Sequence, residues 1–570
     1  MRPREVQDPT RATARLRLAA LAAFALPLFI YSLGWRYLGS GDTAPAELLP
    51  ISMLTEGNLD FNEFQSSPMI PYWFRLRDGR LVSNYPILPG LINVPVYAVA
   101  RLGAVNLFER RFRLSMYTAI LVASLSTLFV YLTLNRLHGS RRRALGFAFV
   151  YAFGTGVWSV ASRGLFQHGP ALLFLSVGLY LIVRGSPRSV SSAGLCLALA
   201  VLARPTNLAL AVPLAAFVAL RHRSRLPAFL GLAAIPAALH GLYCWRYWGT
   251  PFSLGQEVPA GSFSGDPLQG LAGLLVSPSR GLLVFSPIFL FAIPASIAAF
   301  RRPADSRGLL TRCLSAGSLL VLAIYSFWSM WWGGHSFGYR LILELALPLV
   351  VLIAADWPRI RRSRAATSLF GMALAISIFV QSLGAFVYPS RFNATVDEDP
   401  MKLWDLRNSE IVLSVEKLLR YVGHPVTLAS EAVGEATSTV GAPQAHWWTR
   451  ANDDPLISLA VDGPSPGALV RGPVTVFGWA MPTSTDAGEV WISIQPGGRQ
   501  QLADRFPRPD VAKAVPWTGD ASRAGFGARF ELESRHLEQF SLFVEVRAAN
   551  GRVRRLGPVR FLWAPARPAR

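Results

Sequence analysis

Asp42 and Glu47 share the segment Ser40-Gly41-Asp42-Thr43-Ala44-Pro45-Ala46-Glu47, which follows the first long apolar stretch of the chain. A carboxylate kept at the rim of an apolar bundle costs solvation energy, and its presence there points to proton transfer or ion binding. Cationic and imidazole side chains recur where later apolar stretches join. Arg163 and His168 lie in Arg163-Gly-Leu-Phe-Gln-His168-Gly-Pro, Arg204 precedes Pro205, and Arg280 stands in Ser277-Pro-Ser-Arg280-Gly. His335 and Arg340 belong to Trp331-Trp-Gly-Gly-His335-Ser-Phe-Gly-Tyr-Arg340. A guanidinium offers a rigid fork of N–H donors that suits phosphate, so a carboxylate base facing phosphate donors is the chemistry this set could perform. Each member also has a plainer reading. Asp42 or Thr43 would cap a helix that begins at Ala44 with Pro45 in its first turn; the arginines would snorkel to lipid phosphates; Arg340 would pair with Glu344 four residues on. Glu56 and Asp60, four apart, fit a solvated face.

Composition names the scaffold that must position them. The chain has 570 residues, 52% of them hydrophobic and 16% charged, a mixture that keeps a soluble domain of this size out of reach. Its formal charge of +22 is carried in short arginine runs between apolar stretches, the pattern of cytoplasmic loops, and gives no reason to expect nucleic acid as a partner. A crossing needs about 20 apolar residues. Eleven spans are expected, near 17–38, 114–134, 145–161, 169–183, 190–203, 206–220, 226–244, 281–299, 313–331, 341–356 and 365–388. With the amino terminus inside, every arginine-rich loop, from 136–143 to 359–364, falls in the cytoplasm. The five arginines between Met1 and Arg17 precede an apolar stretch too long for a signal-peptide core, so a retained first span is expected. Cys196, Cys244 and Cys313 lie inside expected spans without metal-site spacing and read as packing residues.

Tyr85 to Leu102 is apolar enough to cross, but a crossing there would turn the later arginine loops outward. With Pro86, Pro89 and Pro95 it reads as a broken or interfacial helix. The expected domains are therefore a transmembrane body over 1–388 with a first outer loop at 39–113, a connecting region at 389–455 with a helix around Ile411–Tyr421, and a β domain over 456–565. In that last region short alternating runs, Ile457–Val461, Val474–Trp479, Val490–Ile494, Ala528–Leu532, Ser541–Ala548 and Val559–Trp563, are separated by turn residues that include Asn550-Gly551. An immunoglobulin-like β-sandwich outside the cell is the expected fold.

A single span, an acidic first outer loop and a many-span body resemble the C-type (GT-C) glycosyltransferases, the group of protein mannosyltransferases, aminoarabinose transferases and arabinosyltransferases. Gly41-Asp42-Thr43-Ala44-Pro45, Phe166-Gln167-His168-Gly-Pro170, Ser277-Pro-Ser-Arg280-Gly-Leu and Trp332-Gly-Gly-His335-Ser-Phe-Gly-Tyr-Arg340 resemble uncharacterised bacterial members, over residues 15–420. The resemblance implies an enzyme of the bacterial plasma membrane. It would move a hexose or pentose from a polyprenyl-phosphate donor to a cell-envelope acceptor, with Asp42 as base. Glu47 stands next in line, and Arg340, His335, His168, Arg280, Arg163 and Arg204 are candidate phosphate contacts. A divalent cation is compatible with the family. The second acidic pair that would support one is missing, since Glu257 and Asp266 stand singly. The alternative is a transporter, flippase or ligase for lipid-linked sugars; polar groups crowding one rim rather than mid-depth favour the enzyme.

Overall fold

The computed structural model describes residues 9–34, 36–64, 70–303, 305–389, 392–393, 396, 399–423, 457–463, 469–471, 474–482, 489–495, 499–506, 525–532, 538–547 and 553–564. The chain divides into two compact units, one of residues 1–60 and 77–419, the other of residues 61–76 and 420–570.

The first unit is helical. Its helices are α1 (Pro9–Ser32), α2 (Ala44–Thr55), α3 (Leu88–Leu102), α4 (Leu107–His138), α5 (Arg141–Phe153), α6 (His168–Arg184), α7 (Pro187–Ala203), α8 (Leu208–Arg221) and α9 (Leu226–Trp248). They are followed by α10 (Pro267–Val276), the short α11 (Leu282–Phe285), α12 (Ala292–Arg301), α13 (Ser306–Ser326), α14 (Ala346–Ile360), α15 (Arg364–Val387) and α16 (Glu410–Gly423). Among the described residues five helical segments are long and apolar enough to cross a membrane: Leu107–His138, Arg223–Trp248, Ser306–Ser326, Arg340–Ile360 and Arg364–Val387. This chain is a membrane protein of mainly helical fold. Leu16–Ser32, His168–Arg184, Pro187–Ala203 and Pro205–Arg221 are shorter apolar helices.

Two expected spans are interrupted for local reasons. The 281–299 stretch breaks at Ser286, whose backbone (φ −140°, ψ 75°) is pushed out of the helical region by Pro287, so α11, a 3₁₀ turn over Pro287–Phe291 and α12 replace one rod. The 145–161 stretch ends as an α-helix at Phe153 and resumes as a π-helical turn over Val157–Ala161. The proline-rich stretch after Tyr85, expected as a broken or interfacial helix, is not broken. It forms one continuous helix, α3, because Pro86 precedes it, Pro89 occupies its first turn and only Pro95 lies inside. Asn93, fully buried on α3, donates to the Ala46 carbonyl of α2 at 3.0 Å and to Ser115 Oγ of α4 at 2.8 Å, and its Oδ1 accepts from Thr118 at 2.6 Å. That amide pins α3 to the helix that follows Asp42. Elsewhere small residues allow close packing: a Cβ at Gly194 of α7 would overlap the Phe229 backbone of α9.

After β1 (Phe74–Arg77) and β2 (Arg80–Ser83), the remaining described strands are β3 (Ile457–Gly463), β4 (Leu469–Arg471), β5 (Val474–Pro482), β6 (Glu489–Gln495), β7 (Arg499–Leu502), β8 (Asp504–Phe506), β9 (Gly525–Phe530), β10 (Glu538–Arg547) and β11 (Val553–Ala564). The second unit holds a five-stranded sheet in the order β4-β11-β10-β6-β7 and a four-stranded sheet in the order β3-β5-β9-β8. Pairing is antiparallel except between β11 and β4. The period-two pattern dictates the core: Val490, Ile492 and Ile494 of β6 stand opposite Val546, Val544 and Leu542 of β10 and join Val474, Val476, Phe526 and Phe530 of the other sheet in one buried cluster. All six expected strands are present; β4, β7 and β8, of three or four residues, carry too little alternation to be read. The expected turn at Asn550-Gly551 and the span 424–455 lie outside the described residues.

Candidate functional site

Asp42 is carried by a 3₁₀ turn, Gly41–Thr43, set between α1 and α2. The turn is capped by Ser40, whose Oγ accepts from the Asp42 amide at 3.3 Å while Thr43 Oγ1 accepts from the Ser40 amide at 3.2 Å. Ser40 caps this turn, and of the two residues expected to cap the helix beginning at Ala44 it is Thr43 that stands at the N-cap of α2, without a side-chain cap bond. Asp42 Oδ1 accepts from the Tyr85 hydroxyl at 2.7 Å and its Oδ2 from Arg340 Nη1 at 2.8 Å. The carboxylate remains 21% exposed. Tyr85 is aimed by its own local turn, in which Ser83 Oγ donates to the Tyr85 carbonyl at 2.7 Å and accepts its amide at 3.0 Å.

Glu47 sits one helical turn further on and does something else. It is 3% exposed. Its Oε1 accepts from Tyr37 and, at 2.6 Å, from Thr43 Oγ1. Burial raises its pKa, against the pull of those two hydrogen bonds. The geometry makes it a strut beneath the Asp42 turn.

Arg340 reaches Asp42 from the loop Trp331–Arg340. Gly333 and Gly334 both adopt left-handed backbone, φ 72° and 70°, which costs glycine nothing and curls the loop so that the Gly333 carbonyl accepts from Arg340 Nη2. The guanidinium lies 4.5 Å above the Phe166 ring. Although Arg340 is only 7% exposed, its Nε has no hydrogen-bond partner, and in the same loop neither Trp332 Nε1 nor Ser336 Oγ has one. His335, on that loop, is exposed.

The expected Arg340–Glu344 pair does not form. Residues 340–345 are a 3₁₀ segment kinked at Ile342 (φ −115°, ψ 27°), so four residues no longer make one α-helical turn. Glu344 instead takes Arg204 Nη1 on Oε2 at 2.6 Å and meets His168 Nδ1 through Oε1 at 3.0 Å; Arg204 Nη1 is also 2.8 Å from His168 Nδ1. Arg204 is aimed by the end of α7, where the residue before Pro205 turns extended (φ −156°, ψ 111°), and it lies 4.9 Å over the Tyr325 ring. His168 opens α6.

Arg280 and Arg163 are sealed in. Arg280, 1% exposed, pairs with Glu410 Oε2 at 2.8 Å, donates to Asn393 Oδ1 at 3.1 Å and lies over Phe392. Glu410 Oε2 also accepts the Gly338 amide at 2.8 Å, tying α16 to the Arg340 loop. Burial pushes the Glu410 carboxyl up to about 7, more than Arg280 and that amide pull it down. Arg163 is fully buried, with Nη2 on the Tyr31 carbonyl, Nε 3.3 Å from Ser162 Oγ and Nη1 without a hydrogen-bond partner; burial draws its pKa down to about 10.

Of the candidates, the structure thus brings Asp42 and Arg340 into contact and puts His168 and Arg204 on Glu344, within the 3₁₀ segment that Arg340 begins. Glu47, Arg163 and Arg280 are buried separately. Sequence reasoning missed Tyr85 and Glu410. Tyr85 stood in a stretch read for hydrophobicity alone, and the Ser83-Asn84-Tyr85-Pro86 turn was its one local signal; Glu410 is just the first residue of an amphipathic helix. Among the described residues there is no group of three or more His, Cys, Asp or Glu able to hold a metal ion. Asp266 caps α10 through the Leu268 amide at 2.8 Å, and Glu257 is paired with Arg77. Compared with known proteins, the chain matches no family model and no curated protein.

Proposed function

We propose that the chain is an inverting membrane glycosyltransferase that transfers a sugar from a polyprenyl-phosphate donor to a cell-envelope acceptor on the outer face of the bacterial plasma membrane. The observation that carries this reading is a partly exposed carboxylate, Asp42, held between a tyrosine and a ring-stacked arginine whose Nε still lacks a partner. An acceptor hydroxyl attacks the anomeric carbon and gives its proton to Asp42. The bond from that carbon to the lipid phosphate oxygen breaks, and the leaving phosphate is received by Arg340 with His335 beside it. One displacement without a covalent enzyme intermediate inverts the anomeric centre. His168 and Arg204, engaged by Glu344, hold the 3₁₀ segment that Arg340 begins rather than meeting phosphate first. The eleven-span topology belongs to this reading, as does an immunoglobulin-like second unit, supported by two facing sheets with a parallel β11–β4 pairing at one edge.

The test is transfer by purified protein in lipid nanodiscs, offered polyprenyl-phosphate hexoses and pentoses with an envelope extract as acceptor, scored by release of polyprenyl phosphate. Asp42→Asn is expected to fold normally and to lose on the order of 10²-fold or more. Transfer by Asp42→Asn at the wild-type rate would overturn the assignment of the base. Movement of the lipid-linked sugar across vesicles without release of polyprenyl phosphate would establish a transporter instead.

A further inference from the structure

A base bonded to an arginine is a weak base, and a phosphate site whose arginine already holds a carboxylate is an occupied site. Both statements describe the Asp42–Arg340 pair at 2.8 Å. We infer that this ion pair is an exchangeable latch: the donor phosphate displaces Asp42 from Arg340 Nη1, and the loss of that cation makes the Asp42 carboxylate a stronger base. The inference rests on the reading of this site as a polyprenyl-phosphate glycosyltransferase and adds an order of events to it, donor before base.

Three features make the exchange local. Arg340 keeps its other holds when Asp42 leaves, since Nη2 donates to the Gly333 carbonyl and the guanidinium rests on Phe166. Asp42 keeps the Tyr85 hydroxyl on Oδ1 at 2.7 Å when Arg340 leaves, so the carboxylate stays anchored through the exchange. At 21% exposure the Asp42 side chain can exchange partners with a ligand from solvent. The carboxylates of Glu344 and Glu410, at 3% and 0%, cannot. A latched base also leaves no free carboxylate to activate water while the donor is absent.

The consequence runs against the usual effect of mutating a catalytic residue: removing the carboxylate should strengthen donor binding. The probe is a polyprenyl monophosphate, with the corresponding polyprenol as the uncharged control, titrated against protein in nanodiscs. Asp42→Asn and Asp42→Ala are both expected to bind the monophosphate about tenfold more tightly than wild type, the size of one charge-assisted hydrogen bond no longer in competition. Arg340→Gln is expected to bind it at least about tenfold more weakly than wild type. Equal or weaker binding by both Asp42 variants, with wild-type transfer intact, overturns the latch and leaves the glycosyltransferase reading standing. Wild-type protein that binds polyprenol as tightly as the monophosphate, and transfers nothing, overturns both.

Discussion

Arg340–Asp42 and Arg280–Glu410 are ion pairs of the same length, 2.8 Å, and differ in almost everything else. The Glu410 pair is 1% and 0% exposed and is crossed by a backbone amide from Gly338; the Asp42 pair leaves its carboxylate 21% exposed and shares it with a tyrosine hydroxyl. Distance alone therefore says nothing about role. A sealed pair has already spent its Coulomb energy on desolvation and can only be structural, whereas a pair open to solvent on the carboxylate side can change partners at little cost. Arg204–Glu344, at 2.6 Å with 7% and 3% exposure, belongs with the sealed kind.

The comparison breaks most sharply if the sealed carboxylate is removed. Glu410→Ala would leave Arg280 charged and buried, and is expected to cost about 3–5 kcal/mol of stability. Asp42→Ala also leaves a buried guanidinium, but on a pair that water reaches from the carboxylate side, and is expected to cost about 1.5–3 kcal/mol. Thermal unfolding in detergent checks both, and equal losses would erase the distinction between the pairs. A subtler difference is its dependence on pH. The folded-state pKa of Glu410 is raised from its ordinary 4.5 to about 7, so the folded protein holds a proton there that the unfolded chain has released. That contribution to stability is present in full below about pH 4.5 and is lost as pH rises to about 7. Glu410→Gln removes the titration and should flatten this part of the stability–pH curve; an unchanged slope would mean the carboxyl is ionised throughout.

Much of this was legible in the sequence. Apolar length and arginine placement announce the helical body, and period-two alternation announces β5, β6 and β10 with their inward faces, because those patterns follow directly from burial. Asp42, Arg340, His168 and Arg204 could be singled out because charged and imidazole groups beside apolar spans need a reason to be there. What could not be read was who pairs with whom. Arg340 and Glu344 are four apart, and only the kink at Ile342 sends one to Asp42, 298 residues earlier in sequence, and the other to Arg204. Glu47 stood next in line to Asp42 as base, yet Tyr37 and Thr43 close over it. Burial of that kind is a tertiary fact with no signature in local spacing.

The smallest predicted effect tests whether Tyr85 belongs to the open pair or merely lies beside it. Tyr85→Phe keeps the ring and removes the O–H that donates to Asp42 Oδ1. Because the carboxylate is partly exposed, water can replace that donor, and stability should fall by no more than about 1 kcal/mol. If the hydroxyl holds Asp42 in place while Arg340 turns to the donor, its loss acts after donor binding. The turnover rate should then drop about tenfold with the apparent donor affinity nearly unchanged. A purely structural tyrosine would lower the fraction of folded protein and leave the rate per folded molecule as it was. A fall in donor affinity equal to the fall in rate would mean that Tyr85 meets the donor itself, and Asp42 would then lack the second anchor that keeps it poised when the latch opens.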